Sequence, residues 1–111
     1  MAVKNPEEPF TRISVEEARD MINRGNVQFI DSRNPDEHAA GHAPGAVLMP
    51  HLTVPNRIAD LATDKDILFI CKSGYRSALA CEFAAAAGLT RLYNVEGGHD
   101  AWAAAGYPME K

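Results

Sequence analysis

Ile67-Leu68-Phe69-Ile70-Cys71-Lys72-Ser73-Gly74-Tyr75-Arg76-Ser77 is the stretch on which the rest of the chain turns. Four apolar, largely β-favouring residues run into a cysteine, a short loop with one glycine follows, and an alanine-rich helical pattern starts at about Arg76. Strand, loop and helix in that order belong to a parallel sheet. The loop then lies at the carboxyl end of a strand and the amino end of a helix, where free backbone N–H groups and the helix dipole attract an anion. The sulfur of Cys71 is the group placed to become that anion, and Lys72 and Arg76 add two cations within a few residues. The pattern predicts a thiolate favoured over the thiol and a lowered cysteine pKa. A cysteine closing a buried strand can equally be a small core hydrophobe. The polar, cationic, hydroxyl-bearing turn after Cys71 is more than a plain core connection needs, and it marks the cysteine as reactive.

Working outward, buried strands alternate with helices. Phe10 to Ile13 reads as a short edge strand. Ser14 stands three residues before Glu17, a capping-box spacing, and Val15, Ala18 and Ile22 recur at helical spacing until Gly25, predicting a helix from about Val15 to Arg24. Val27 to Ile30 is a buried strand ending on the polar run Asp31-Ser32-Arg33, which an open parallel sheet places on its ligand-binding side. Pro35 opens a short helix ending at Gly41, with Asp36 and Glu37 suiting its positive end. Val47 to Met49 is a brief strand, and Pro55 to Leu61 is expected to be a further helix. After the loop, Leu79, Phe83 and Ala86 or Ala87 give the next helix an apolar face. Leu92 to Val95 is the last strand, and a final helix carries Trp102, expected to pack in the core.

At 111 residues the chain is long enough for one core and too short for two. Residues 1–9 read as a flexible leader and 10–111 as a single domain. With 46% apolar residues and no apolar run of membrane-spanning length, a soluble protein is expected. A net charge of −4 gives no support to a nucleic-acid partner. Residues Met1 to Phe10 carry charges and prolines where a signal peptide has an apolar segment, so a cytoplasmic protein with no membrane partner is expected. The two cysteines, ten positions apart, match no common metal spacing, nor do the four histidines show paired ligand spacing, so no metal or cofactor is expected. Cys81 falls inside the helix after the loop. It reads as a packing residue, with a resolving thiol as the sharper alternative.

Three groups of residues together resemble the rhodanese family of sulfurtransferases. The first is the loop Cys71 to Arg76, whose six-residue length is similar to that of the sulfur-transferring members. The second is Ile30-Asp31-Ser32-Arg33 followed by Glu37-His38-Ala39-Ala40-Gly41-His42-Ala43-Pro44-Gly45-Ala46, which resembles the amino-terminal signature. The third is Val95-Glu96-Gly97-Gly98, Ala101-Trp102 and Gly106-Tyr107-Pro108, which resembles the carboxyl-terminal one. The resemblance implies an α/β fold, a three-layer sandwich whose central, mostly parallel sheet of about five strands is flanked by helices on both faces. It also implies that Cys71 carries sulfur as a persulfide.

The expected reaction is a double displacement. The Cys71 thiolate takes the outer sulfur of a small anionic donor such as thiosulfate, and a thiol or cyanide acceptor, which a protein can supply, then removes it. Ser73 and Ser77 would donate hydrogen bonds to the terminal sulfur, and Gly74 would let the backbone turn inward. Lys72 and Arg76 would attract the donor, Arg76 with a fork suited to sulfonate oxygens, while Tyr75 would wall the pocket. Asp31 and Arg33 resemble family positions that brace the loop as an ion pair. His42 and His99 are expected in turn or capping roles and Glu37 as a helix-start charge.

Two rival functions differ in kind. A cysteine phosphatase or arsenate reductase resembles this pattern but places one more residue between cysteine and arginine than the four found here, and usually a histidine where Ile70 stands. The shorter loop offers fewer N–H groups and less room to a tetrahedral oxyanion. A persulfide carrier, loading sulfur and delivering it only to a partner protein, would use the same thiolate and is separated by turnover with small acceptors.

Overall fold

The computed structural model describes residues 2–111. Its centre is a five-stranded, wholly parallel sheet in the order β1-β5-β4-β2-β3, built from Thr11–Ile13 (β1), Val27–Asp31 (β2), Val47–Leu48 (β3), Asp66–Ile70 (β4) and Leu92–Val95 (β5). Helices Val15–Arg24 (α1), Pro35–Ala40 (α2), Tyr75–Ala86 (α3) and Gly98–Ala104 (α4) connect the strands. The three-layer α/β architecture is the expected one.

Alternation along β4 builds the layers. Ile67 and Phe69 join Ile30, Leu92 and the α3 residues Ala80, Cys81 and Ala84 on one face. Leu68 and Ile70 join Phe29, Val95, Ala18 of α1 and Trp102 of α4 on the other. Period two in a strand sends successive side chains to opposite faces, so a strand buried on both sides reads as an unbroken apolar run. Phe69 is fully buried, worth about 1.5–3 kcal/mol. The alanines of α3 let it approach the sheet closely. Trp102 sits in the core as expected, edge-on to Tyr107 at 5.2 Å between centroids, its indole N–H donating to the Pro108 carbonyl at 2.8 Å.

The capping box of α1 forms in full: Ser14 Oγ accepts from the Glu17 N–H at 3.0 Å, and the Glu17 carboxylate accepts from the Ser14 N–H at 3.0 Å. One expectation needs correction. Residues 55–61 are not an α-helix; two 3-10 turns, His51–Asn56 and Ile58–Asp60, occupy this region, with bonds such as Arg57 N–H to the Val54 carbonyl at 2.9 Å. Pro55 lies inside the first turn, where its missing N–H prevents an α-helical ladder. Ahead of β1, Val3 and Arg12 exchange backbone hydrogen bonds at 2.8 Å, and Glu8 pairs with the Arg12 guanidinium.

The strand order reverses between β2 and β4. From β2 the chain runs outward to β3, and it re-enters on the far side of β2 as β4 and β5. Parallel sheets open a crevice at the carboxyl ends of the two strands flanking such a reversal. Asp31 and Ile70 are register partners at those ends, so Cys71 and the Asp31-Ser32-Arg33 run meet there.

Candidate active site

Cys71 follows the last residue of β4, and the loop turns back over its sulfur. Gly74 makes the turn with φ +105°, a left-handed conformation in which a side chain is strained, and its N–H donates to Cys71 Sγ at 3.0 Å. α3 begins immediately afterwards, at Tyr75. One turn on, the buried Ser77 brings its hydroxyl to 3.3 Å from the same sulfur. Ser77 also donates to the side-chain carbonyl of Asn94 on β5. The amide of Asn94 in turn donates to the Gly74 carbonyl at 3.1 Å and to Glu96, which Arg12 holds through two bonds of 2.9 Å. A chain of polar contacts thus runs from the sulfur to the sheet edge.

The other side of the loop is fixed by α4. The backbone N–H of His99 donates to the Cys71 carbonyl at 2.7 Å, and Asp100 N–H to the Lys72 carbonyl at 3.0 Å. This docking requires Gly98, where an added Cβ would stand 2.4 Å from the Cys71 carbonyl oxygen. The His99 ring is buried. Its Nδ1 lies 2.9 Å from that same carbonyl and its Nε2 accepts from the Ala43 N–H at 3.0 Å, an arrangement that sets a neutral imidazole protonated on Nδ1. Burial lowers the His99 pKa below the usual range.

Asp31 and Arg33 lie behind His99. The Arg33 guanidinium bonds Asp31 at 2.9–3.2 Å and the Gly41 carbonyl at 2.7 Å, and passes 3.4 Å from His99 Nε2. Burial pushes the Asp31 carboxyl up, but hydrogen bonds from Arg33 and His38 outweigh it and hold the group below its ordinary value. The pair reaches the loop through His99 and does not touch the sulfur.

Each of the two loop cations meets a carboxylate. Both guanidinium nitrogens at the tip of Arg76 bond Glu37, at 2.7 and 2.9 Å. Arg76 holds the Glu37 carboxyl down to about 2, and Glu37 also accepts from the Asn34 N–H at the start of α2 at 3.1 Å. Lys72 pairs with Asp100 at 3.0 Å on the surface. Ser73 and Tyr75 are exposed, and the hydroxyl next to Cys71 Sγ is that of Ser77. His51, at the start of the first 3-10 turn, has its pKa lowered by burial and by the nearby Arg76 charge. A cleft of about 660 Å³ between β2, β3 and the second 3-10 turn, lined by Gln28, Val47, Asp60 and Lys65 among others, includes none of these loop residues.

The rhodanese-like domain family matches residues 14–105. The chain belongs to the rhodanese family. A protein from Allochromatium vinosum named sulfurtransferase is 37% identical over 84 residues, covering 76% of this chain and 78% of the relative. The crystal structure of a rhodanese-related protein from Thermoplasma volcanium is similar with a TM-score of 0.80 and 30% identity, covering 89% of this chain and 96% of that one. The rhodanese-like domain protein from Staphylococcus aureus gives 0.75 and 33%, covering 82% and 89%.

In this rhodanese chain Asn94 and His99 are the polar side chains about the loop that the sequence reading passed over or underrated. Asn94 carried a signal, an amide in the middle of an apolar strand, since buried polar groups require partners. His99 was assigned to a turn or cap, and nothing local to Gly97-Gly98-His99 indicates that both of its ring nitrogens are engaged. Cys81 lies in the apolar cluster beneath α3, and burial pushes its thiol well above the ordinary value.

Proposed function

We propose that the chain is a sulfurtransferase that moves a sulfane sulfur from a donor such as thiosulfate to a thiophilic acceptor, cyanide or a thiol, through a persulfide on Cys71. The observation that carries this reading is the sulfur itself: it closes β4 under a six-residue loop and receives the Gly74 N–H at 3.0 Å, with the Ser77 hydroxyl 3.3 Å away. Donors fixed around a sulfur favour its anion and an anionic persulfide terminus alike. Membership of the rhodanese family and the relative named sulfurtransferase support the same chemistry.

With thiosulfate, the Cys71 thiolate attacks the outer sulfur, the S–S bond of the donor breaks, and its electron pair leaves with sulfite. Cyanide then attacks the terminal sulfur of the persulfide, and the electron pair of that S–S bond returns to Cys71 as thiocyanate departs. Neither step consumes an external oxidant or a cofactor. A free Cys71 suits a reducing compartment such as the cytoplasm. Among the described residues no helix is long and apolar enough to cross a membrane.

The test is to incubate reduced protein with thiosulfate, record the intact mass, map the adduct, and then add cyanide, with Cys71→Ser alongside. One sulfur on Cys71, absent from the variant and released as thiocyanate, is the expected result. Loading without release to cyanide or small thiols would make the protein a carrier for a dedicated partner. An unmodified Cys71 under both thiosulfate and persulfide donors would overturn the reading.

A further inference from the structure

Ser77 has one hydroxyl proton and two acceptors. Its Oγ lies 3.3 Å from Cys71 Sγ and also bonds the Asn94 side-chain carbonyl, and a single hydrogen cannot point both ways. The direction of the Asn94 amide is settled by its other contacts. Its nitrogen meets the Gly74 carbonyl at 3.1 Å and the Glu96 carboxylate, which two bonds of 2.9 Å from Arg12 hold in place. Both partners only accept, so a flipped amide would set oxygen against oxygen twice. Oδ1 therefore faces Ser77, and among the described residues the Ser77 hydroxyl is the one donor that reaches it.

Asn94, Ser77 and Cys71 are all buried, where a carbonyl left without a donor is costly. The resting place of the Ser77 proton then depends on the state of the sulfur. A thiol donates its own hydrogen to Ser77 Oγ, and the Ser77 proton goes on to Asn94. A thiolate can only accept, and as an anion it is a stronger acceptor than an amide carbonyl, so the O–H turns to Sγ. Once sulfur is loaded, the negative charge sits one atom further out and the inner Sγ is a weak, neutral acceptor. Ser77 is fully buried behind Sγ, so an outer sulfur delivered from solvent arrives on the side away from it. The O–H then turns back to Asn94.

We propose that Asn94 is a positioning residue for sulfur transfer: it takes the Ser77 proton whenever Cys71 Sγ carries no charge and gives it up when the thiolate returns. Glu96 and Arg12 serve it by fixing the amide. No covalent bond changes in this step; one O–H changes direction. The loaded protein is stabilised, because the hydroxyl that loses the thiolate as a partner gains a carbonyl. The inference rests on the reading of Cys71 as the sulfur-carrying residue.

The experiment follows the side-chain carbonyl carbon-13 resonance of Asn94 in asparagine-labelled protein. Spectra are taken with Cys71 reduced and ionised, as its ultraviolet thiolate band reports, after loading with a sulfane donor, and after discharge with cyanide. Loading is expected to move the resonance downfield, as for a carbonyl that gains a hydrogen bond, and discharge to return it. Ser77→Ala has no proton to move and is expected to abolish the shift, which separates it from the loss of charge on Sγ. A second measurement titrates the loading equilibrium against the ratio of thiosulfate to sulfite by intact mass. Asn94→Leu removes the waiting acceptor and is expected to lower the loading constant roughly three- to tenfold. A residue that merely braced the Gly74 turn would act in the opposite sense, since a loosened Gly74 N–H weakens the thiolate and so favours loading. The resonance is read without any change at Asn94, so it decides alone if Asn94→Leu does not fold. A resonance that stays still on loading, or a loading constant unchanged or raised in Asn94→Leu, overturns the role of Asn94 while leaving sulfur transfer standing. A Cys71 that accepts sulfur from neither thiosulfate nor a small persulfide overturns both.

Discussion

Cys71 and Cys81 are withdrawn from solvent to the same degree, 1% and 0% exposed, and they lie only ten positions apart. Around Cys81 stand Ala80, Ala84, Ile67 and Phe69, apolar side chains with nothing to offer a charge, and its thiol is held well above its ordinary pKa. Around Cys71 stand a backbone N–H, a hydroxyl and, behind the hydroxyl, an amide held by a carboxylate and a guanidinium. Burial by itself therefore decides nothing about a cysteine. In a medium of low dielectric a polar group without partners is costly, so the same depth sets one sulfur among carbon and equips the other with donors.

The largest expected effect comes from removing the equipped sulfur. Cys71→Ser should abolish sulfur loading, a loss beyond about 10³-fold, because a hydroxyl has no persulfide chemistry to substitute for it. Intact mass after exposure to a sulfane donor is the readout, and an adduct persisting in the variant would move the chemistry elsewhere. Removing one donor should matter less. Ser77→Ala deletes the hydroxyl at 3.3 Å and leaves the Gly74 N–H, so loading should slow by about 10- to 100-fold, corresponding to the roughly 1.5–3 kcal/mol of a hydrogen bond to a charged group. An unchanged rate would assign Ser77 to holding Asn94 alone.

Cys81 supplies the converse test. Cys81→Ser places a hydroxyl among apolar side chains on α3 and should cost about 1–3 kcal/mol in stability, measured by urea denaturation. Sulfur loading should stay within about twofold, since the residue lies in the apolar cluster and supplies no hydrogen bond to Cys71 Sγ. A loss of loading with stability intact would instead identify Cys81 as a resolving thiol.

The same contrast explains what could be read in the chain. Elements written in local pattern were legible: the capping box at Ser14 and the apolar periodicity of Val15 to Arg24, the strand Leu92 to Val95, the cysteine closing β4. Contacts made across the sequence were not. Arg76 looked like a free cation because Glu37, its partner, is 39 residues earlier, and Lys72 because Asp100 is 28 residues later. The Pro55 to Leu61 segment failed for a local reason, since a proline suited to the first position of an α-helix is equally at home inside a 3-10 turn begun at His51. Charge matching is a property of the fold, and composition counts only the charges.

The smallest effect follows from the neutral His99 that ties α4 to the Cys71 carbonyl. Its folded pKa lies below the unfolded value near 6.5, so the unfolded chain binds the extra proton first and the folded form is destabilised as pH falls below about 6.5. Above that pH its contribution to stability is fully present. One proton limits the slope to about 1.4 kcal/mol per pH unit, and burial of His51, whose pKa is also lowered, adds in the same direction. Glu37 does not interfere, because its depressed carboxyl withdraws stability only between about 4.5 and about 2. His99→Gln keeps a donor and an acceptor in place but cannot titrate. Urea midpoints measured from pH 7.5 to 5 should therefore fall less steeply in His99→Gln than in the unaltered protein, and identical slopes would show that the ring does not need to stay neutral to hold the loop.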